Sequence, residues 1–273
     1  MDKPIVITIT SNKGGVGKTT TAAALCDILR RDYHVLLVDT DPQGNCAGKF
    51  GFEAPTSLGN LGELLVAITM KQANPGDIQD YIVVNDDYPN LGILYGGKVL
   101  KTSCYDYIFS ANASSALKCF KRAFSQIAEL NHFDFIIVDT PPTYGNEMSA
   151  ILNATDYVLL PTIAESDSVE GVDVALRFIA DAREDNPSLK IAGIFLNRVY
   201  DKDSSTQVVE PFIREAWGND VLKTRIPDNR SAVSRAINEG EPITACQPNS
   251  KASQAFNFLA KEVLDHVLKK HDE

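Results

Sequence analysis

The chain has 273 residues, 44% hydrophobic and 23% charged, with a formal net charge of −10. This is enough apolar chain for a sizeable globular core, and the acidic balance argues against a protein that coats nucleic acid over its whole surface, though it allows a local basic patch. There is no apolar run of the ~18 residues a membrane span needs, and the first residues lack a signal peptide's charged head and cleavage site.

In chain order, short apolar runs alternate with helical patterns. Pro4–Thr10 reads as a strand, followed by a Gly-rich turn and a helix over Thr20–Arg31. His34–Thr40 and Leu91–Gly96 are further strands, and Gly51–Tyr88 between them is irregular, with a turn signal at Asn74-Pro75-Gly76. Ala116–Leu130 has helical spacing and leads into a strand at Asp134–Thr140. Strands at Asp156–Thr162, Lys190–Arg198 and Val221–Pro227 are each followed by a helical pattern, over Val169–Asp185, Thr206–Trp217 and Ser231–Gly240. Lys251–Lys270 closes the chain as an amphipathic helix. Unbroken apolar strands alternating with helices predict an α/β fold in three layers, a mostly parallel twisted sheet with helices on both faces. No linker divides the chain, so residues 1–273 are expected to form a single domain. The five cysteines, Cys26, Cys46, Cys104, Cys119 and Cys246, form no C-x-x-C pair and read as reduced thiols of a cytoplasmic protein. The four histidines have no metal-ligand spacing.

The stretch SNKGGVGKTT, Ser11–Thr20, sits between the first strand and its helix. A strand–glycine loop–helix unit turns successive backbone N–H groups inward and adds the positive end of the helix, which makes an anion cradle. Gly14, Gly15 and Gly17 allow close backbone approach to phosphate, Lys18 would reach the β- and γ-phosphates, and the Thr19 hydroxyl would ligate Mg²⁺. The standard pattern has a glycine five positions before Gly17, where this chain has Asn12, followed by a second lysine, Lys13. Two strands end in acids. HVLLVDTDPQGN places Asp39 and Asp41 at the carboxyl end of the second strand, and DFIIVDTPP places Asp139 at the end of another, the edge at which open α/β sheets bind ligands.

Lys13-Gly14-Gly15-Val16-Gly17-Lys18-Thr19 resembles the deviant Walker A motif of the ParA/MinD family of ATPases. The resemblance implies a P-loop ATPase fold, ATP and Mg²⁺ as cofactors, and a homodimer formed around ATP. In that family the early lysine reaches across the dimer interface to the partner's phosphates, the role implied for Lys13. Such a charge resembles an arginine finger, which accelerates phosphoryl transfer roughly 10³–10⁵-fold. The implied nucleotide loop runs from Lys13 through Gly14, Gly15, Val16, Gly17, Lys18 and Thr19 to Thr20. Asp39-Thr40-Asp41-Pro42-Gln43-Gly44-Asn45 resembles switch I, which implies that Asp39 joins the Mg²⁺ shell with Thr19 and that Asp41 orients the attacking water. Asp139-Thr140-Pro141-Pro142 resembles switch II, with Asp139 binding Mg²⁺ through water. The catalytic set is then Lys13, Lys18 and Asp41. Asn197-Arg198 stands where the family reads adenine, and Pro227-Asp228 where its Ile-Pro turn packs on the base. Glu165, Asp167 and Glu170 fall where the family has dimer-facing residues.

Members that move plasmids or chromosomes bind DNA non-specifically as ATP dimers and are stimulated by a centromere-binding ParB-type partner. Lys190–Arg235 holds eight basic and six acidic residues, a local charge of +2 on a chain of −10. Its Lys202, Arg214, Lys223, Arg225, Arg230 and Arg235 are the expected DNA contacts. The sequence departs from many relatives in having Asp228 where they carry Arg after the Ile-Pro turn. No helix-turn-helix extension precedes the first strand, so autoregulation is not expected. The resemblance thus implies a cytoplasmic, nucleoid-associated DNA-partition ATPase that does not bind membrane. The alternatives are a MinD-like membrane-positioning ATPase, whose C-terminal amphipathic helix the ending HVLKKHDE does not match, an iron–sulfur reductase-type relative, for which Cys104 and Cys119 are the only mid-chain thiols, and a ligase-like relative acting on a small molecule.

Overall fold

Runs of Val, Ile, Leu and Phe with no polar interruption cannot leave either face in water, and they become strands covered on both sides. The computed structural model describes residues 3–52, 59–96, 105–111 and 113–269. Cys104 and the last four residues of the HVLKKHDE tail lie outside them. Among the described residues eight strands form one sheet in the order β3-β4-β2-β5-β1-β6-β7-β8. They are β1 (Ile5–Ile9), β2 (Val35–Asp39), β3 (Val83–Val84), β4 (Leu91–Tyr95), β5 (Phe135–Asp139), β6 (Tyr157–Ile163), β7 (Lys190–Val199) and β8 (Val221–Pro227). Every neighbouring pair is parallel except β3 with β4. The two-residue β3 caps the edge, and it and the helix Leu61–Thr69 supply order in the stretch that the sequence left irregular.

Successive side chains alternate between the sheet's faces. Ile5, Ile7 and Ile9 of β1 point into a core shared with the helix α1 (Lys18–Leu29) and the closing helix Lys251–Lys269, whose Phe256, Leu259 and Val263 are buried there. Val6 points the other way, into a core with the helices Leu61–Thr69 and Cys119–Glu129. Further along that second face, the helices Asn146–Leu152, Ser166–Ala182 and Ser204–Trp217 cover β6, β7 and β8. The predicted helix Ala116–Leu130 is divided at Lys118, whose backbone leaves the helical region at φ −100° and ψ 2°. Among the described residues no helix is long and apolar enough to cross a membrane, and Cys26, Cys46, Cys119 and Cys246 are free thiols.

The connection from β1 runs outward to β2, past β5, while β6 lies on the other side of β1. This reversal leaves a crevice at the carboxyl ends of β1, β2 and β5, and the Gly-rich loop falls there. The seat of α1 fixes that loop. Asp27 on α1 is buried, with Arg30 Nη2 at 2.8 Å and Arg31 Nη2 at 2.9 Å from its carboxylate, and it accepts a 2.6 Å hydrogen bond from Thr244 on the opposite segment. Removing one partner of a buried charged network leaves the others uncompensated. Asp27→Ala is therefore expected to cost about 3 kcal/mol in urea or thermal unfolding, whereas Asp32→Ala, on the exposed turn after α1, changes stability by less than about 0.5 kcal/mol.

Candidate functional site

Three threonines stitch the strand ends together. Thr10 N–H donates to the Leu159 carbonyl at 3.2 Å, Thr40 donates through both its N–H (3.0 Å) and its hydroxyl (2.7 Å) to the Asp139 carbonyl, and Thr140 Oγ1 donates to the Ile9 carbonyl at 2.9 Å. All three are buried. The loop they carry turns through the left-handed region at Gly15 (φ +74°) and Gly17 (φ +96°), where a side chain is strained. At Gly17 a Cβ would also collide with the carboxamide of Asn197. Gly17 opens α1 without a side-chain cap, so the first turn of the helix presents its N–H groups toward the loop.

Lys18 folds back over this loop. It is 7% exposed, and its Nζ donates to the carbonyls of Ser11 at 3.2 Å and Lys13 at 3.1 Å. Burial lowers its pKa, and the charges of Asp139 and Asp41 oppose that shift. Lys13 points elsewhere. Its Nζ lies 2.7 Å from Glu165 Oε2, 3.5 Å from Asp167 Oδ2 and 3.3 Å from Ser168 Oγ, at the start of the helix Ser166–Ala182. The side chains of Glu165 and Asp167 are 54% and 79% exposed, so these pairs hold Lys13 by about 1 kcal/mol or less.

Asp39 and Asp139 pair in register on adjacent strands, and both are fully buried. Their partners differ. Asp39 accepts from the backbone N–H of Asp41 (3.2 Å), Cys46 (2.9 Å) and Ala47 (3.0 Å), while among the described residues neither carboxylate oxygen of Asp139 has a hydrogen-bond partner. Burial pushes the Asp39 carboxyl up to about 6, against the pull of those three N–H groups. Burial and then the Asp39 charge hold Asp139 well above the usual carboxylate range, against Thr19 and Lys18. Two buried hard oxygen donors in register, beside a threonine hydroxyl, fit a hydrated divalent cation such as Mg²⁺. Asp139, with its orphaned oxygens, is the stronger candidate ligand, and Asp39 additionally holds the following turn. Asp41 has its own turn: Gln43 N–H donates to its Oδ1 at 2.9 Å, and Gly44 N–H to its carbonyl at 2.8 Å.

Two contiguous cavities meet at this loop. One, of about 620 Å³, is lined by Gly14, Lys18, Thr19, Asp41, Lys49 and Thr140. The other, of about 310 Å³ and more apolar, is lined by Asn197, Pro227, Asp228, Val233 and Phe256. Gly15, Gly17, Thr20 and Ile237 border both. A polar compartment beside the anion cradle and a smaller, more apolar one beyond it match a polyphosphate and a base. The expected base-reading residues therefore come together, with one qualification. Asn197 Nδ2 donates to the Val16 carbonyl at 2.7 Å, and Arg198, itself at φ +53°, donates to the Gly15 carbonyl at 3.3 Å. Both clamp the Gly-rich loop as well as lining the apolar cavity.

The expected DNA strip is more neutral than its sequence. Arg214 pairs with Glu210 at 2.9 Å, Arg225 with Asp201 at 2.6 Å and Glu210 at 3.0 Å, Arg230 with Asp228 at 3.2 Å, and Arg235 with Glu239 at 2.8 Å. Of the six residues, Lys202 and Lys223 have no carboxylate within ion-pair distance among the described residues. Sequence reading passed over Lys49, four residues beyond Asn45, although a lysine inside a second Gly-rich stretch (GNCAGKFG) was a signal for it.

The chain is similar along nearly its whole length to known proteins. A family model described as an AAA domain matches residues 5–191. The sporulation initiation inhibitor protein Soj of Bacillus subtilis is 31% identical over 264 residues, covering 94% of this chain and 97% of its own. The chromosome partitioning protein ParA of Caulobacter vibrioides is 30% identical over 261 residues, covering 95% of this chain and 93% of its own. Among solved structures, the cobyrinic acid a,c-diamide synthase of Mycobacterium smegmatis with bound ATP analogue and magnesium superposes with a TM-score of 0.76 at 26% identity, covering 96% and 95% of the two chains.

The carboxylate pair predicts a pH dependence. A carboxyl whose pKa is raised on folding keeps its proton longer in the native state, so stability falls as pH rises from the unfolded value, 3.8, through the folded one, about 6 for Asp39. Without divalent cations, Asp139→Asn should therefore become more stable than the wild type as pH is raised from about 4 to 7, in melting curves taken at each pH. If the wild type stays the more stable protein throughout, the buried carboxylates do not oppose folding.

Proposed function

We propose that this chain, which belongs to the ParA/MinD family of ATPases, is a DNA-partition ATPase. In this reading it binds ATP with Mg²⁺, dimerises around the nucleotide, and in that state binds DNA without sequence preference. It hydrolyses ATP slowly, and a centromere-binding ParB-type partner accelerates the reaction. The observation that carries the partition reading is the likeness, along nearly the whole chain, to the chromosome partitioning protein ParA of Caulobacter vibrioides.

The chain's own residues divide the work. The loop amides and Lys18 hold the phosphates, with Lys18 leaving the Ser11 and Lys13 carbonyls to do so. Thr19, Asp39 and Asp139 would hold Mg²⁺, which supplies charge neutralisation at the phosphates. Asp41, set by its turn at the mouth of the polar cavity, orients the attacking water. Asn197, Arg198, Pro227 and Asp228 bound the base. Lys13 leaves Glu165 and Asp167 and reaches the partner's nucleotide. Because its ion pairs are exposed and weak, a polyphosphate outcompetes them. The DNA contacts fall on the strip Lys202–Arg235. The Arg230 and Arg235 pairs are exposed, so phosphates exchange for them readily, and a dimer presents the strip twice.

The likeness to a diamide synthase supports a second reading, an ATP-dependent ligase of a small molecule. DNA binding separates the two. Purified protein should form dimers with a non-hydrolysable ATP analogue and Mg²⁺ but not with ADP, and should retard DNA only as the dimer, with affinity falling steeply in salt. Lys13→Ala should still bind nucleotide, within about threefold, yet lose both dimer and DNA binding in light scattering and gel-shift assays. A Lys13→Ala protein that dimerises and binds DNA with ATP sinks the trans role. A wild type that dimerises but ignores DNA sinks the partition reading.

A further inference from the structure

Lys49 lies in the short turn Ala47–Phe50, and that turn is tightly fixed. At its start, the N–H groups of Cys46 and Ala47 donate to Asp39. At its end, Phe50 is fully buried with its ring 5.0 Å from that of Tyr88, and Gly51 N–H donates to the Gly240 carbonyl at 3.0 Å. A backbone held at both ends delivers the Lys49 side chain to the wall of the 620 Å³ cavity that also carries Gly14, Lys18, Thr19 and Asp41. There Lys49 is half-buried, and among the described residues its ammonium has no carboxylate within ion-pair distance and donates no hydrogen bond. Burial lowers its pKa, against the charges of Cys46 and Asp139.

A half-desolvated cation without a partner costs folding free energy, since it has lost water and gained nothing equivalent. Lys18 is also in this cavity, but it is satisfied by two loop carbonyls; Lys49 is not. We propose that Lys49 binds the polyphosphate of the nucleotide held by its own subunit, as a second lysine in cis reaching in from the turn after β2. A flexible ammonium is a point charge suited to a phosphate group whose orientation is already set by loop amides. The contact also links occupancy of the cavity to the turn that Asp39 organises and, through Gly51 and Gly240, to the end of the helix Arg230–Glu239 that borders the base cavity.

The proposal rests on the ATP reading of this site, and one set of titrations tests both. Wild type, Lys49→Gln and Lys49→Arg are titrated with Mg-ADP and with a magnesium-bound non-hydrolysable ATP analogue, by calorimetry at two salt concentrations. Melting temperatures of the nucleotide-free proteins are measured alongside. Lys49→Gln is expected to weaken both nucleotides about tenfold or more, to flatten the salt dependence, and to leave the nucleotide-free melting temperature unchanged or higher. Lys49→Arg is expected to retain most of the affinity. Wild-type affinity in Lys49→Gln overturns the proposal. So does a loss of affinity that comes with a lowered nucleotide-free melting temperature, because Lys49 would then be supporting the turn. If the wild type binds neither nucleotide, the ATP reading itself falls, and the proposal with it.

Discussion

The carboxyl group of Asp139 is buried completely, and among the described residues neither of its oxygens has a hydrogen-bond partner. A folded chain tolerates such a group only where it keeps its proton or where something else arrives to compensate its charge. The surroundings are built to keep the need in place. Asp39 stands in register beside it and raises its pKa further. Thr40 holds the backbone carbonyl of Asp139, and Thr140 binds the neighbouring strand end, so the side chain cannot swing out to water without breaking the sheet. The stability forgone here is what makes the strand edge a site for a cation and the anion it carries.

The same economy of satisfied and unsatisfied groups runs through the loop. Gly15 and Gly17 bend it into the left-handed region, and the carbonyls that this exposes are taken up by Asn197 and Arg198 from β7. With its carbonyls held outward, the loop has its amides left for a ligand. Gly17 answers two demands together, since its φ strains any side chain and the space beside it is filled by Asn197. The apolar and polar cavities are thus mechanically one unit, since Asn197 lines the apolar one and holds the loop that borders both.

Much of this was legible in the chain. Strands buried on both faces announce themselves as unbroken apolar runs, and β1, β2, β5, β6, β7 and β8 fall within a residue or so of their expected ends. The loop and the acids that terminate β2 and β5 were legible because their chemistry depends on local spacing. Three features depend on long-range partners and were not. The strip of arginines reads as basic, but Arg225 finds Asp201 and Glu210 only once α/β packing brings them together. β3 is two residues long and antiparallel, too short to show a period. The Gly-rich stretch around Lys49 carried a signal, but its place on the cavity wall follows only from the turn that Asp39 organises. One missed element did carry a signal: Asn60 accepts from Glu63 N–H at 3.1 Å and caps the helix Leu61–Thr69. The Asn-x-x-Glu pattern was there to be read.

Lys13 shows why a loop can carry two lysines without redundancy. Lys18 and Lys13 leave the same turn in opposite senses, one folded over the loop's own carbonyls and the other extended to the rim formed by Glu165, Asp167 and Ser168. The rim contacts are exposed, so they hold Lys13 in one geometry without holding it firmly. A firmly buried pair would cost several kcal/mol to break and would oppose any assembly that needs the lysine elsewhere. A free lysine would lose rotamer entropy on binding, of order 2 kcal/mol. An exposed latch lies between these limits: it keeps the side chain extended along the edge of the site at low cost of release. On the proposed reading, that geometry is what lets a second subunit's nucleotide take over the lysine from its own acids.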